Sequence, residues 1–282
     1  MIRSLADGSI SVLRQVNHVV RPTGPDGVAE VLSDKEVGVA FTNCYQDSKR
    51  AEAYAQLEFA NTYYLAYRDL PEIVRRHITG TKAIDFGCGT GRSTRFFERL
   101  GFDVTGVDIA PEMIARAQQL DPEGDYRLVK DDDLSSFQKG VYDLVASVFS
   151  FDNIPGFENK VRLFRDLAAL LNSTGRLISV VSSPEIYLHE WASFSTKEYP
   201  ENRNARSGDT VRIVTTDFAD RRPTEDILWT DDSYRQVIAA AGMETAAIYK
   251  PLATGNEPYQ WVNETKIAPW VIYVFKRQTP AG

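Results

Sequence analysis

Between residues 82 and 181 short apolar runs alternate with segments in which apolar side chains recur every three or four positions. Ala83-Ile84-Asp85-Phe86 has the length and composition of a buried strand, a glycine-rich turn occupies 87–91, and the pattern over 92–100 predicts a helix that Gly101 stops. The alternation continues with a strand over 102–107 ending at Asp108 and a helix opened by Pro111 and running to Leu120. Strands over 126–129 and 142–148, a helix over 160–171 and a strand over 176–181 complete it. Strands joined through helices need crossover connections, so the sheet they form is parallel. Upstream, over 47–77, Ala51, Tyr54, Leu57, Tyr64, Leu65 and Tyr67 follow helical spacing, which predicts two or three helices before the first strand.

After Ser183 the alternation stops. Residues 184–230 are rich in aromatic and charged side chains with one predicted strand over 211–215, and they read as an insertion. A helix over 232–241, a strand over 244–249 and the apolar run 270–275 then close the sheet. The turn formers Pro22-Thr23-Gly24-Pro25-Asp26-Gly27 mark residues 1–40 as a loosely ordered leader, which leaves 41–282 as one domain.

Composition narrows the function. The 282 residues are 43% hydrophobic and 25% charged, a globular balance, and the net charge of -7 disfavours a nucleic-acid partner held by counterion release. Cys44 and Cys88 are too few for a disulfide framework, and no Cys/His group has metal-ligand spacing, so the expectation is a cytoplasmic protein without a metal. No apolar run approaches the roughly 18 residues of a membrane span.

The sharpest chemical feature is Asp85-Phe86-Gly87-Cys88-Gly89-Thr90-Gly91, at a strand end and a helix start. Glycines there let a cofactor approach the backbone and meet the helix N–H groups. A dinucleotide fingerprint needs glycine at 92, where this chain has Arg92, and no Gly-Lys-Ser/Thr follows to make a phosphate-binding P-loop. The acid followed by Gly87, Gly89 and Gly91 resembles the first motif of the class I S-adenosylmethionine-dependent methyltransferases. The resemblance covers about 45–181 well and implies a Rossmann-like, doubly wound, seven-stranded and mostly parallel sheet with the last strand antiparallel.

The same resemblance implies roles for individual residues. Asp85 and the glycine turn would position the methionyl end of S-adenosylmethionine. Asp108 would accept the two ribose hydroxyls, for which a carboxylate has the acceptors, while Ile109 and Met113 would flank adenine. Asp131 or Asp132 would read the adenine amino group, with Leu134 and Phe137 ending that motif. Ser147 and the segment through Asp152 would lie beside the reactive methyl, and Arg68 would pair with the cofactor carboxylate. In the family the helical segment 41–80 acts as a lid over the cofactor, and the insertion after strand five, 184–230, covers the acceptor.

A small-molecule acceptor is therefore expected, walled by Tyr54, Phe149, Phe151, Trp191 and Trp229, with His189 as the general base that a hydroxyl or ammonium acceptor requires. A nucleic-acid methyltransferase of the exocyclic-amine type carries Asn/Asp-Pro-Pro-aromatic after strand four, where this chain has Phe149-Ser150-Phe151-Asp152. A non-catalytic cofactor-binding or regulatory module would need the same glycine turn and ribose acid, and only turnover separates it from an enzyme. The acceptor's identity, the atom methylated and the oligomeric state stay open at this level.

Overall fold

The computed structural model describes residues 59–130, 132–217 and 219–278. The 1–40 leader, the helical pattern over 51–57, Tyr54 and Asp131 lie outside the described residues. Two short helices, α1 (Thr62–Arg68) and α2 (Leu70–His77), lead into β1 (Lys82–Phe86), α3 (Arg92–Arg99), β2 (Asp103–Asp108), α4 (Pro111–Leu120), β3 (Asp125–Leu128) and β4 (Tyr142–Val148). Then follow α5 (Phe157–Leu170), β5 (Leu171–Ser182), the short strands β6 (Phe194–Ser195), β7 (Thr210–Thr215) and β8 (Thr224–Ile227), α6 (Asp231–Ala240), β9 (Met243–Tyr249) and β10 (Trp270–Arg277).

Seven strands form one sheet in the order β3-β2-β1-β4-β5-β10-β9. β1 to β5 pair in parallel, whereas β10, the last strand, runs antiparallel to both of its neighbours, β5 and β9. This is the Rossmann-like arrangement the sequence leads one to expect. The period of two along each central strand feeds two cores. Leu144, Ala146, Val148, Ile178, Val180, Ile272 and Val274 face a core built with α1, α2 and α3. Val145, Leu177, Val181, Val271, Tyr273 and Phe275 face a second one built with α5 and α6. Helical spacing supplies the other half of the second core: Val161, Phe164, Leu167 and Ala168 form one face of α5, and Tyr234, Val237 and Ile238 one face of α6.

The structure departs from the predicted elements in two places. β5 begins at Leu171, directly after α5, because its first residues pair with β4 across a register shift between Tyr142 and Leu144. The insertion contains a three-stranded antiparallel sheet, β6-β7-β8, where one strand was expected. β8, Thr-Glu-Asp-Ile, sets two strand-disfavouring acids between two strand-favouring residues, so its sequence alone does not mark a strand. Its pairing with β7, including the cross-strand ion pair Arg212–Glu225 at 2.9 Å, makes it a strand.

One carboxylate ties the insertion to the rest. Glu264 is fully buried. It accepts hydrogen bonds from Thr62 Oγ1 (2.7 Å) on α1, from the Ala192 N–H (2.7 Å) in the insertion, and from the N–H groups of Val262 (2.8 Å) and Asn263 (3.0 Å). Trp270 Nε1 adds a bond from β10 to the Thr62 carbonyl at 2.8 Å. Replacing Glu264 by alanine removes the acceptor of four donors, one buried and three partly buried, and each hydrogen bond to a charged group contributes about 1.5–3 kcal/mol. Glu264→Ala is therefore expected to lower unfolding free energy by at least about 3 kcal/mol in urea titrations; a loss under about 1 kcal/mol would show that water or neighbouring groups replace the carboxylate.

Candidate functional site

Strand order reverses between β1 and β4, so the loops after these two strands diverge and leave a crevice at their carboxyl ends. A cavity lies there, lined by the turn Phe86–Thr90, by Asp108, Ile109 and Met113 after β2, by Val129 and Asp132 after β3, by Val148, Phe149, Ser150, Asn153 and Ile154 after β4, and by Tyr67 and Arg92. It holds about 1020 Å³ of empty space with its open mouth included, the size of a site for a small-molecule cofactor.

Asp85 sits behind the turn. Its carboxylate is fully buried, and Oδ2 accepts both the Ser93 hydroxyl and the Thr94 hydroxyl at 2.7 Å, which binds the end of β1 to the first turn of α3. Burial pushes the Asp85 carboxyl up to about 6 against the pull of those two hydroxyls, and Oδ1 has no hydrogen-bond partner. Gly87 and Gly89 both take positive φ, for different reasons. A Cβ on Gly87 would stand 2.2 Å from Ser150 Oγ, while one on Gly89 would meet nothing within 4 Å, although Gly89 lines the cavity. The chain thus passes close to the loop after β4 at Gly87 and leaves the space beside Gly89 open.

Asp108 couples β2 to this turn: Oδ2 accepts the Gly89 N–H at 2.8 Å and Oδ1 the Ala110 N–H at 2.9 Å. Burial raises its carboxyl above the ordinary range, opposed by these backbone donors. Two oxygens with about four acceptor positions keep capacity for a further pair of hydroxyls. Ser150 Oγ, within 3.0 Å of the Phe86 carbonyl and 3.1 Å of the Gly87 carbonyl, fastens the loop after β4 to the same turn.

Phe149 has a φ of 66°, an outlier for an aromatic residue, and its N–H donates to the Val180 carbonyl at 2.8 Å. The turned backbone sends its ring among Tyr63, Tyr67 and Trp270, with centroids 5.8, 6.4 and 4.6 Å away. The Arg92 guanidinium lies over three of these rings, 4.8 Å from Tyr63, 5.5 Å from Tyr67 and 5.7 Å from Phe149. It also hydrogen-bonds Tyr67, whose hydroxyl is raised by burial and held back by this neighbour.

A second cavity adjoins the first and shares Phe149 and Asn153 with it. Tyr63, Phe149, Phe194 and Trp270 give it aromatic walls; Ile186, Tyr187, Ile213, Thr215, Thr224 and Asp226 come from the insertion, and Asp152 from the loop after β4. Both Asp152 oxygens accept the Ser182 N–H, the nearer at 2.9 Å, and burial pushes this carboxyl up to about 6. The Tyr187 hydroxyl donates to Asp226 Oδ2 at 3.0 Å.

Several expected site residues stand elsewhere. His189 is paired with Glu185 (3.1 Å) at the surface and lines neither cavity. Arg68 is held by Asp69 (2.8 Å) and Glu257 (3.1 Å), so it does not reach the crevice, and Arg92 is the cation there. Ser147 points into the second core, on the opposite face of β4 from Val148, because side chains alternate along the strand. Gly91 caps the start of α3, where a Cβ would stand 2.6 Å from the Tyr126 hydroxyl, and lines neither of the two cavities. Phe151 stacks on Phe164 at 4.1 Å inside the second core. Trp191 donates to the Ile186 carbonyl at 2.8 Å within the insertion, and Trp229 packs beside Lys160; neither lines either of the two cavities. Ser150 lies in the segment expected beside the methyl group, whereas sequence inspection missed Arg92, Tyr187 and Asp226, of which only Arg92, directly after the glycine turn, had a local signal.

The family model for a methyltransferase domain matches residues 84–179, the span from β1 into β5 that builds the first cavity. This part of the chain is a class I S-adenosylmethionine-dependent methyltransferase domain. The ubiquinone biosynthesis O-methyltransferase of Xanthomonas euvesicatoria pv. vesicatoria (strain 85-10) is 33% identical over 107 residues, 36% of this chain and 44% of that protein. The chain thus spans less than half the length of the curated relatives it matches. Among solved structures, a S-adenosylmethionine-dependent methyltransferase from Clostridium acetobutylicum superposes with a TM-score of 0.55 at 14% identity, covering 84% of this chain and 100% of that one. One from Mesorhizobium loti gives 0.52 at 18%, covering 75% and 98%; at these identities the likeness shows the shared fold.

S-adenosylmethionine is the cofactor of this methyltransferase family, and the residues present fit it: an open space beside Gly89, a carboxylate at Asp108 with acceptor capacity, exposed Ile109 and buried Met113 along one wall, and a guanidinium at Arg92. Among the described residues no group of three or more His, Cys, Asp or Glu is placed to hold a metal, and no helix is long and apolar enough to cross a membrane.

Two predictions come from this geometry. Gly89→Ala is expected to fold with a stability loss of about 1–2 kcal/mol for a non-glycine residue in the left-handed region, yet to weaken S-adenosylhomocysteine binding more than tenfold in calorimetry, since the methyl group enters the cavity. Unaltered affinity would move the cofactor away from this turn. For Asp85, a folded carboxyl near 6 against an ordinary 3.8 means that the native state holds its proton more tightly than the unfolded chain. The stabilisation is present below about pH 4 and is lost as pH rises through 6, about 3 kcal/mol in all at roughly 1.4 kcal/mol per pH unit. The stability of wild type relative to Asp85→Asn should therefore fall between pH 4 and 7 in denaturant titrations, and a flat difference would show that Asp85 titrates normally.

Proposed function

We propose that this methyltransferase domain binds S-adenosylmethionine in the first cavity and that the chain transfers its methyl group to an oxygen, nitrogen or carbon nucleophile of a small-molecule acceptor seated in the second. The observation that carries this is the meeting of the two cavities at Phe149 and Asn153, one built from the cofactor motif and the other walled by the insertion. The relatives named as ubiquinone biosynthesis O-methyltransferases support a small-molecule acceptor. The scarcity of cysteine supports a cytoplasmic setting.

When bound, S-adenosylmethionine supplies a methyl group already activated as a sulfonium. The protein's part is then positioning and the exclusion of water. Asp108 would hold the ribose hydroxyls, Ile109 and Met113 the adenine faces, Asp132 the adenine amino group, the backbone at Gly87 and Gly89 the methionyl chain, and Arg92 its carboxylate. The aromatic walls shared by Tyr63, Phe149 and Trp270 keep water from the junction. A hydroxyl or ammonium acceptor must also give up a proton. Asp152 is the carboxylate in the acceptor cavity whose burial raises it to about 6, and its oxygens would take that proton in place of the distant His189.

Calorimetry with S-adenosylmethionine and S-adenosylhomocysteine tests the cofactor half. Asp108→Ala should weaken both by more than tenfold, the scale of lost hydrogen bonds to a carboxylate, with Asp108→Asn in between. Unchanged affinity in a folded variant would remove Asp108 from the ribose, and absence of binding to wild type would overturn the proposal. Turnover in cell extract with a labelled methyl donor separates an enzyme from a non-catalytic binding module.

A further inference from the structure

Among the described residues Phe149 and Asn153 line both cavities, and Asn153 is the polar one of the two. Its side-chain carbonyl oxygen, Oδ1, is buried and accepts no hydrogen bond. The far end of the amide decides which atom is the oxygen: Nδ2 donates to the Phe149 carbonyl at 3.4 Å, and a flipped amide would set acceptor against acceptor there. That bond is at the long limit for an N–H donor, so the amide keeps freedom to turn toward a donor at the junction. The backbone beneath it is fixed. The Asn153 N–H donates to the Ser150 carbonyl at 3.2 Å, and Ser150 Oγ is bound in turn to the carbonyls of Phe86 and Gly87 in the glycine turn. On the other side Asp152 is held by the Ser182 N–H. A buried amide oxygen without a donor carries its full desolvation cost, and a leucine of similar volume would fill the place without it. An acceptor placed at the meeting point of two cavities complements a ligand that brings the donor.

We infer that Asn153 positions the acceptor: its carbonyl oxygen accepts a hydrogen bond from the nucleophilic group at the junction of the two cavities, so the atom methylated is an oxygen or nitrogen that carries a hydrogen, not a carbon. The inference rests on the reading of the two cavities as cofactor and acceptor sites. One acceptor oxygen fixes the direction of an O–H or N–H bond and leaves the lone pair of the heteroatom to face the methyl group. A C–H group donates too weakly to be held in this way. An amide is no base at neutral pH, so its part is orientation, and the proton goes to Asp152 in the proposed function.

Sinefungin, the cofactor analogue in which a carbon bearing an amino group replaces the methylated sulfur, puts an N–H donor where the methyl group would be, and S-adenosylhomocysteine puts nothing there. On the full chain, calorimetry is expected to show sinefungin binding about tenfold more tightly than S-adenosylhomocysteine, the scale of a hydrogen bond to a buried acceptor that is otherwise unpaired. Asn153→Ala should bring this ratio to about threefold or less while S-adenosylhomocysteine affinity stays within about threefold, and Asn153→Asp, which keeps an acceptor oxygen, should retain the preference. With an isotope-labelled methyl donor and cell extract, carbon NMR of the product should place the label on oxygen or nitrogen. Equal affinities in wild type, an unchanged ratio in folded Asn153→Ala, loss of the preference in Asn153→Asp as well, or a label on carbon or sulfur would each overturn the inference. Failure of wild type to bind S-adenosylhomocysteine at all would instead overturn the proposed function on which it rests.

Discussion

The Asp85 carboxylate accepts the hydroxyls of Ser93 and Thr94 from the end of the first strand, in a place without water, and the cofactor crevice is arranged around this contact. Desolvating a carboxylate costs several kcal/mol, and two hydroxyl donors recover part of it. What the contact secures is direction. With α3 bound to β1, the turn between them has little freedom, Gly87 must pass Ser150 closely, and the Gly89 N–H is presented to Asp108. Asp108, fixed by two backbone donors, then stands at the end of β2 as a preset acceptor. Four parallel strand ends are thereby brought to one crevice by hydrogen bonds that cross between neighbouring loops.

The parts of this arrangement that depend on local sequence could be read from the chain alone. Asp85, Gly87, Gly89 and Asp108 are determined by a strand end, a tight turn and the next strand end, and each falls where the spacing puts it. Parity and turn geometry decided the residues after β4. Ser147 is one position from the cavity-facing Val148, and in a strand one position is the opposite face. Phe149 and Phe151 read alike in sequence, but the positive φ at Phe149 and the helical turn Phe151–Asn153 that follows send one ring to the cavities and the other into the core.

Long-range partners were beyond any spacing rule. Arg68 is engaged by Glu257, 189 residues away, and Tyr187 meets Asp226 across 39 residues of an insertion whose strands exist by pairing with each other. His189 looked chemically suited because of its residue type alone, and its environment is a surface pair with Glu185 one helical turn away. Aromatic residues were the most ambiguous class: Tyr63 and Trp270 belong to the first core and line the second cavity at once, so the same rings pack the core and wall the cavity.

The short helical turn after β4 explains how two cavities can adjoin without merging. It carries Phe151 into the second core, stacked on Phe164, Asp152 to the second cavity and Asn153 to both cavities. A turn with a buried carbonyl needs a donor, and the Lys160 ammonium supplies one to Phe151 from α5. A leucine at 160 would pack as well against Trp229 and Tyr234 but would leave that carbonyl unpaired and Asp152 without a nearby counter-charge. Burial disfavours the charge on both groups, pulling the lysine down and the Asp152 carboxyl up, while their mutual attraction opposes both shifts. The turn that brings Asp152 to the second cavity thus depends on a residue that lines neither cavity.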